Sequence, residues 1–443
     1  MIETLLTLAA VLIASLLAVG KVPLGYTLRS LTVRWRTTVL TALAFTAMVT
    51  LLIAMLAFVN GMQIMTEGTG VPGNVMILAD GATDEAFSNL SVADLTEIES
   101  EPAIVTWQGR PMVSRETYLV VNQMIPNSSP GRPQRRFLQL RGLDDPLMAA
   151  RVHEISLQSG TWFSDAGVRE LEEDAHGEVK GSTLIEAVLG EGVARELGRD
   201  RTAEQLARAR NRQRLDVGDT FKLGNRLWLV VGVMRSSGST FNSEIWAKRA
   251  LIAAIFGKNT YTTLVVRTAD DQSAAAFCQF LKEKYTKAPV SPQVEKNYYA
   301  SLQETNKQFL VAIIFITIVM SVGGVFGIMN TMFAAVNQRI KDIGVLRLVG
   351  YAPEHVLVAI LLESLLIAML GGMFGCALGS LCHGMSATSV VAGVGMGKSV
   401  ALQLTVDSTI YAVAILLTLV LGILGGLLPG LSAMRLKPLE ALR

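Results

Sequence analysis

FLVAIIFITIVMSVGGVFGIMNTMF at residues 309–333 runs directly into AAVNQRIKDIGVLRLVG at residues 334–350. The first part has no charged side chain over 25 residues. A helix needs about 20 mainly apolar residues to cross a bilayer, so this part predicts a span. The second part changes character. Val336, Ile340, Ile343 and Leu346 or Leu348 recur at helical spacing and can face the bilayer or the bundle, with Arg339, Lys341, Asp342 and Arg347 facing water. Gly344 and Gly350 allow tight turns or close backbone approach. A short rigid helix rooted in two spans can carry motion from a cytoplasmic partner across a membrane.

Working outward, further apolar stretches lie at 2–20, 38–60, 356–382 and 408–430. The 443 residues are 51% hydrophobic and 17% charged, with net charge +2. Soluble domains run near 25% charged, so the composition excludes a fully soluble protein, a disordered chain and a nucleic-acid binder with a basic field. Three Cys without a CxxC pair exclude a disulfide framework and a Cys-based zinc module. The charge is unevenly spread. Residues 61–307 hold 28 Lys and Arg and 31 Asp and Glu, leaving 11 basic and 6 acidic residues in the other 196. The chain reads as a membrane protein with one large water-facing insert.

Basic residues flank the spans on one side: Lys21, Arg29, Arg34 and Arg36; Arg339, Lys341 and Arg347; Arg435, Lys437 and Arg443. The positive-inside rule makes that side cytoplasmic, so 61–307 and the loop 383–407 face outward. The run 2–20 competes with a signal peptide, but its basic residues follow the apolar run, which favours a retained anchor with an outward N-terminus. Leu24, Leu28, Leu31 and Trp35 share one helical face, which suits an interfacial helix over 21–37.

The insert predicts mixed α/β structure. β-rich runs are Asn74–Leu78, Tyr118–Val121, Phe137–Leu140, Leu227–Val233 and Thr262–Val266. Helical patches are Val92–Ser100, Glu186–Leu197, Thr202–Gln213 and Asp271–Lys284, and the Pro-rich stretch 123–134 reads as a loop. Seven Arg between Arg195 and Arg214 read as a solvated helical face, with an anionic headgroup or partner contact as the sharper alternative. His153, His176, His355 and His383 are scattered without metal-ligand spacing, and no nucleophile–base set stands out. Cys278 reads as a small buried apolar residue. AGVGMGKS at 392–399 loosely matches a phosphate-binding loop, but it lies between two spans with no α/β domain around it, and reads as a flexible loop. Gly323-Gly324 with Gly327, and Gly371-Gly372 with Gly375, read as small-residue packing sites.

Asn330-Thr331-Met332, the 336–350 segment, Leu361-Leu362-Glu363-Ser364-Leu365-Leu366 and the terminal Pro438-Leu439-Glu440-Ala441-Leu442-Arg443 together resemble the permease subunits of the MacB/FtsX/LolCE group of ABC transporters. Leu189–Ala194 and Leu215–Val233 resemble segments of that group's outer domain. The resemblance implies an α-helical membrane protein of four core spans plus an N-terminal one. Its domains would be 1–37, core helix 38–60, a MacB-like extracytoplasmic domain 61–307 and an FtsX-like permease domain 308–443 with a coupling helix 337–349.

The resemblance further implies ATPase-coupling residues Arg339, Asp342, Gly344, Arg347 and Gly350, and a transmembrane functional candidate in Glu363. Gln338 and Asp342 stand where Glu is usual, and Lys437 where Asp or Asn is common. Glu363 has a purely structural reading as an inward-paired intramembrane acid; Arg339 and Arg347 have one as positive-inside anchors.

The implied protein is a non-enzymatic permease in a bacterial inner membrane. A separate ABC ATPase would bind ATP and magnesium, so the chain itself holds no cofactor or metal. A second permease copy or paralogue, membrane lipids and a periplasmic adaptor or hydrolase would complete the partners, with no nucleic acid. Its work would be export or extraction of a lipid, lipoprotein, peptide or hydrophobic compound. An FtsX-like subunit regulating an envelope hydrolase is the alternative.

Overall fold

The computed structural model describes Arg29 and residues 31–126, 135–170, 183–235, 239–285, 289–301, 303–392 and 397–436. The expected span 2–20, most of the 123–134 loop, His176, residues 393–396 of the Gly-rich run and the motif Pro438–Arg443 lie outside them. Internal contacts divide the chain into two units. One takes in the described residues up to Asn60, Lys307–Met385 and the chain from Gln403; the other takes in Gly61–Asn306 and Ser386–Leu402.

Four described helices are long and apolar enough to cross a membrane: Trp35–Glu67, Gln303–Gln338, Pro353–Ser380 and Ser408–Met434. The first two extend past the apolar stretches that predicted them, 38–60 and 309–333, at both ends. Pro353 sits in the first turn of the third span, where its missing N–H costs nothing. Asp407 caps the fourth, accepting from the Ile410 amide at 2.9 Å. Of the expected helix 21–37, residues 31–33 are helical and Arg34 makes a turn before Trp35.

The glycines fix how the spans meet. A Cβ on Gly375 would lie 2.6 Å from the Val49 Cβ, and one on Gly371 would lie 2.5 Å from the Ala42 carbonyl. These glycines let the first and third backbones approach until Thr46 Oγ1 donates to the Gly371 carbonyl at 3.1 Å. The other predicted packing site behaves differently. A Cβ on Gly323 or Gly327 meets nothing within 4 Å, and Gly324 touches only Met48. The second span is 11% buried over its apolar window, against 61% for the third.

In the other unit the strands, in chain order, are β1 (Asn74–Ala79), β2 (Thr106–Trp107), β3 (Arg110–Pro111), β4 (Val113–Met124), β5 (Arg135–Leu143), β6 (Leu157–Gly160), β7 (Val168–Glu170), β8 (Thr183–Leu189), β9 (Thr220–Leu223), β10 (Arg226–Met234), β11 (Glu244–Lys248), β12 (Thr263–Arg267) and β13 (Val290–Val294). Among the described residues, eleven form one sheet in the order β13-β1-β12-β4-β5-β11-β8-β10-β6, with β7 on β8 and β9 on β10. β11 runs parallel to β5 and β10 parallel to β8; the other pairs are antiparallel. One apolar core gathers Leu140, Leu189, Val193, Trp228 and Ile245; a second gathers Val75, Leu95, Leu264, Phe277 and Leu281.

Three expectations change here. The predicted helix Glu186–Leu197 is strand β8 followed by a helix, Glu191–Gly198. Buried Leu and Val with Glu186 at 1% exposure suit a strand covered on both faces, which helical periodicity cannot separate from a helix. The Arg-rich stretch is not one solvated helix. Its second helix is only Ala203–Arg208, and Arg201 turns inward to donate to the carbonyls of Gly198, Asn211 and Arg212. The 383–407 loop contains a hairpin, β14 (Ser386–Ala392) with β15 (Gly397–Gln403), so Lys398-Ser399 lie on a strand and not at a helix N-terminus. A phosphate-binding loop needs that helix N-terminus.

Candidate functional site

The helix Gln303–Gln338 ends where Arg339 leaves helical geometry, at φ −119° and ψ 16°. A second helix, Ile340–Leu348, follows. Gly350, at φ +106°, makes the turn toward Pro353, in a conformation that disfavours any side chain with a Cβ. Ile343 packs with Val336, Val356, Ile360 and Ala433, and Gly344 is buried beside it. Lys341 and Asp342 are exposed.

The faces differ from the sequence expectation. Arg339 does not face water: its Nη1 donates to Glu363 Oε2 at 3.3 Å. Arg34 Nη2 donates to the other oxygen, Oε1. Glu363, 5% exposed on the third span, thus joins the foot of the first span to the junction between the second span and the short helix. Arg347 is half-buried, and its Nε and Nη1 have no hydrogen-bond partner among the described residues. Val345, Leu348 and Val349 are 50%, 56% and 73% exposed, so the outward face of the short helix is apolar with Lys341 and Asp342 beside it.

The sheet unit holds a second charged arrangement, fully buried. Arg141 on β5 binds Glu244 on β11 in bidentate fashion, both bonds at 2.7 Å, and also binds Glu85 at 2.9 Å and Glu116 on β4. Glu116 Oε1 lies 2.6 Å from His153 Nε2, and Glu295 Oε1 lies 3.1 Å from His153 Nδ1. Burial pushes the Glu116 carboxyl up, but Arg141 and His153 outweigh it and hold it at about 2. Burial pushes the His153 imidazole down, but Glu116 and Glu295 outweigh it and raise it to about 10. Four carboxyl groups therefore surround two cations with no solvent between them.

The profile of the MacB-like periplasmic core domain matches residues 38–282, and that of the FtsX-like permease C-terminal domain matches residues 314–438. The chain belongs to the MacB/FtsX/LolCE family of ABC transporter permeases. It is similar to the macrolide export ATP-binding/permease protein MacB of Vibrio parahaemolyticus, 23% identical over 83% of this chain and 55% of the relative. The MacB of Hahella chejuensis is 24% identical over 51% of this chain and 35% of the relative. The chain thus spans about a third to a half of the length of these curated relatives. The periplasmic region of MacB from Actinobacillus actinomycetemcomitans is 14% identical, covering 53% of this chain and 94% of that one at a TM-score of 0.33.

As a MacB/FtsX-family permease, the chain is an inner-membrane protein whose sheet unit is its extracytoplasmic domain. In the FtsX-like part, sequence reasoning marked Glu363 and Arg339 but gave no partner for either. Arg34, outside the motif, was treated only as a topological charge. In the MacB-like domain Arg141, Glu116, Glu244 and Glu295 belong to no motif, and His153 stands only among the four scattered histidines. One of them left a signal: Arg141 directly follows the β-rich run Phe137–Leu140 of a strand, and a charge there needs a partner, whereas Glu116 lies among Ser114, Arg115 and Thr117.

Proposed function

We propose that this chain is the membrane subunit of an ABC transporter that exports or extracts a lipid, lipoprotein, peptide or hydrophobic compound. A separate ATPase binds ATP and magnesium and grips the helix Ile340–Leu348; a second copy or a paralogue completes the pair. The observation that carries this reading is Glu363 holding both Arg34 and Arg339. A load on the short helix passes through Arg339 to the third span and through Arg34 to the first, with no loose joint between. Arg347, Gly344 and Gly350 support the same reading, since they root and end the helix, and Asp342 stands on its exposed side. The name of the curated relatives, in which ATP-binding and permease parts share one chain, also favours an ATPase as the driver.

The test is co-purification of the full chain in nanodiscs with an ABC ATPase from the same cell. Bound ATPase is expected, together with about a tenfold loss of binding when the exposed charges are reversed in a K341E/D342K double variant. ATP hydrolysis by the chain alone, or ATPase binding indifferent to that variant, would overturn the reading. Recovery of an envelope hydrolase on the extracytoplasmic domain would select the regulatory alternative.

A further inference from the structure

The buried charges of the extracytoplasmic domain lie at a particular place along the chain. The first span's helix ends at Glu67, and Val71 follows within four residues. At the far end of the domain, Glu295 opens a short helix, Glu295–Ser301, directly before the second span's helix. These two ends meet. Glu295 Oε2 accepts from the Val71 amide at 2.9 Å and from Asn74 Nδ2 at 2.8 Å. A Cβ on Gly70 would lie 2.6 Å from the Lys296 Cα, so the two backbones touch. The other oxygen of Glu295 faces His153, whose second nitrogen faces Glu116 in the middle of the sheet. Glu116 continues to Arg141, and Arg141 to Glu244 on the next strand.

A neutral imidazole carries one N–H, and it would set a lone pair against a carboxylate at its other nitrogen. With carboxylate oxygens at both nitrogens, the ring is an imidazolium that donates to both. Each link is fully buried, so none is screened by water. The links run in series from the two chain ends into β4, β5 and β11.

We propose that His153 is the positioning residue of an ionic relay that fixes both chain ends of the extracytoplasmic domain, at Val71 and Glu295, to the centre of its sheet. As a path for ATP-driven movement it rests on the permease reading above. As a connection within the domain it stands without that reading.

The experiment is amide hydrogen exchange on the full chain in lipid nanodiscs, comparing wild type with His153→Gln and with Glu295→Gln. Each variant keeps the size of the side chain and removes one charge. Protection is expected to fall about tenfold or more at Val71 and Asn74 and, together with them, across the paired β4 and β5 amides; the Trp228 core should be unmoved. Loss confined to Val71 and Asn74 would overturn the relay, because Glu295 would then be a local cap. Should both variants fail to fold, nitrogen NMR on the wild-type chain decides. Two protonated ring nitrogens on His153 at pH 8 support the relay, and a neutral ring overturns it. The exchange measurement needs no ATPase, so coordinated loss in a chain that binds no ATPase sustains the relay and sinks only the permease reading.

Discussion

Arg34 and Glu363, 329 positions apart in sequence, form an ion pair in which the carboxylate is 5% exposed and the guanidinium 16%. The pair connects a residue ahead of the first span to the interior of the third. Arg339 shares the same carboxylate. Removing Glu363 takes a shared carboxylate from two cations at once, whereas removing Arg339 leaves the Arg34–Glu363 pair in place.

Glu363→Ala should therefore lower the unfolding free energy in detergent by about 3 kcal/mol, and Arg339→Ala by about half as much. Thermal unfolding of the two variants checks the order. An Arg339 loss as large as the Glu363 loss would show that the carboxylate is not the shared element.

Two fully buried, strongly shifted groups contribute opposite limbs to the pH dependence of the extracytoplasmic domain. His153 is raised from 6.5 to about 10, so its stabilisation is complete below pH 6.5 and is lost as pH rises through 10. Glu116 is lowered from 4.5 to about 2, so its contribution is complete above pH 4.5 and is lost as pH falls through 2. Urea unfolding at pH 5.5, 7.5 and 9.5 should show stability declining over the alkaline steps, and His153→Gln should flatten that decline.

Arg141→Met removes one guanidinium from among Glu85, Glu116 and Glu244 while keeping most of its volume. Breaking a buried ion pair costs about 3–5 kcal/mol because the partner is left charged and dry. Loss of the folded domain at room temperature is the expected outcome, read by near-ultraviolet circular dichroism. A variant as stable as wild type would mean that the carboxyl groups neutralise themselves without the arginine.

The glycine faces separate by substitution. Gly375→Ala puts a methyl 2.6 Å from the Val49 Cβ and should cost about 1–3 kcal/mol by overpacking. Gly323→Ala meets open space and should be neutral or slightly stabilising within one chain, since alanine favours the helix. Thermal unfolding of each in dilute detergent distinguishes them.

The four described spans were legible because each is a long apolar run, broken by charge within the predicted stretches only at Glu363, and the short helix after the second span was legible because its apolar residues recur at helical spacing. Partners were not legible. Arg34 and Glu363 meet only through the packing of separate helices, and nothing local to either position encodes the other. Likewise Glu116, His153 and Glu295 come from three distant segments, and each reads alone as an ordinary surface residue. Glu186–Leu197 failed for another reason. A strand covered on both faces and a buried helix share one apolar pattern, and the sharp turn at Gly190 between them is a single residue.

The pairing of β1 with β13 has a consequence for how the protein is made. β1 begins at Asn74 and β13 ends at Val294, so the first strand to cross the membrane must wait for the last before its outer hydrogen bonds close. The Val71 amide waits for the Glu295 carboxylate in the same way. The exported polypeptide therefore completes its sheet only after translocation of more than two hundred residues, and until then it presents an open strand edge to whatever holdase meets it outside.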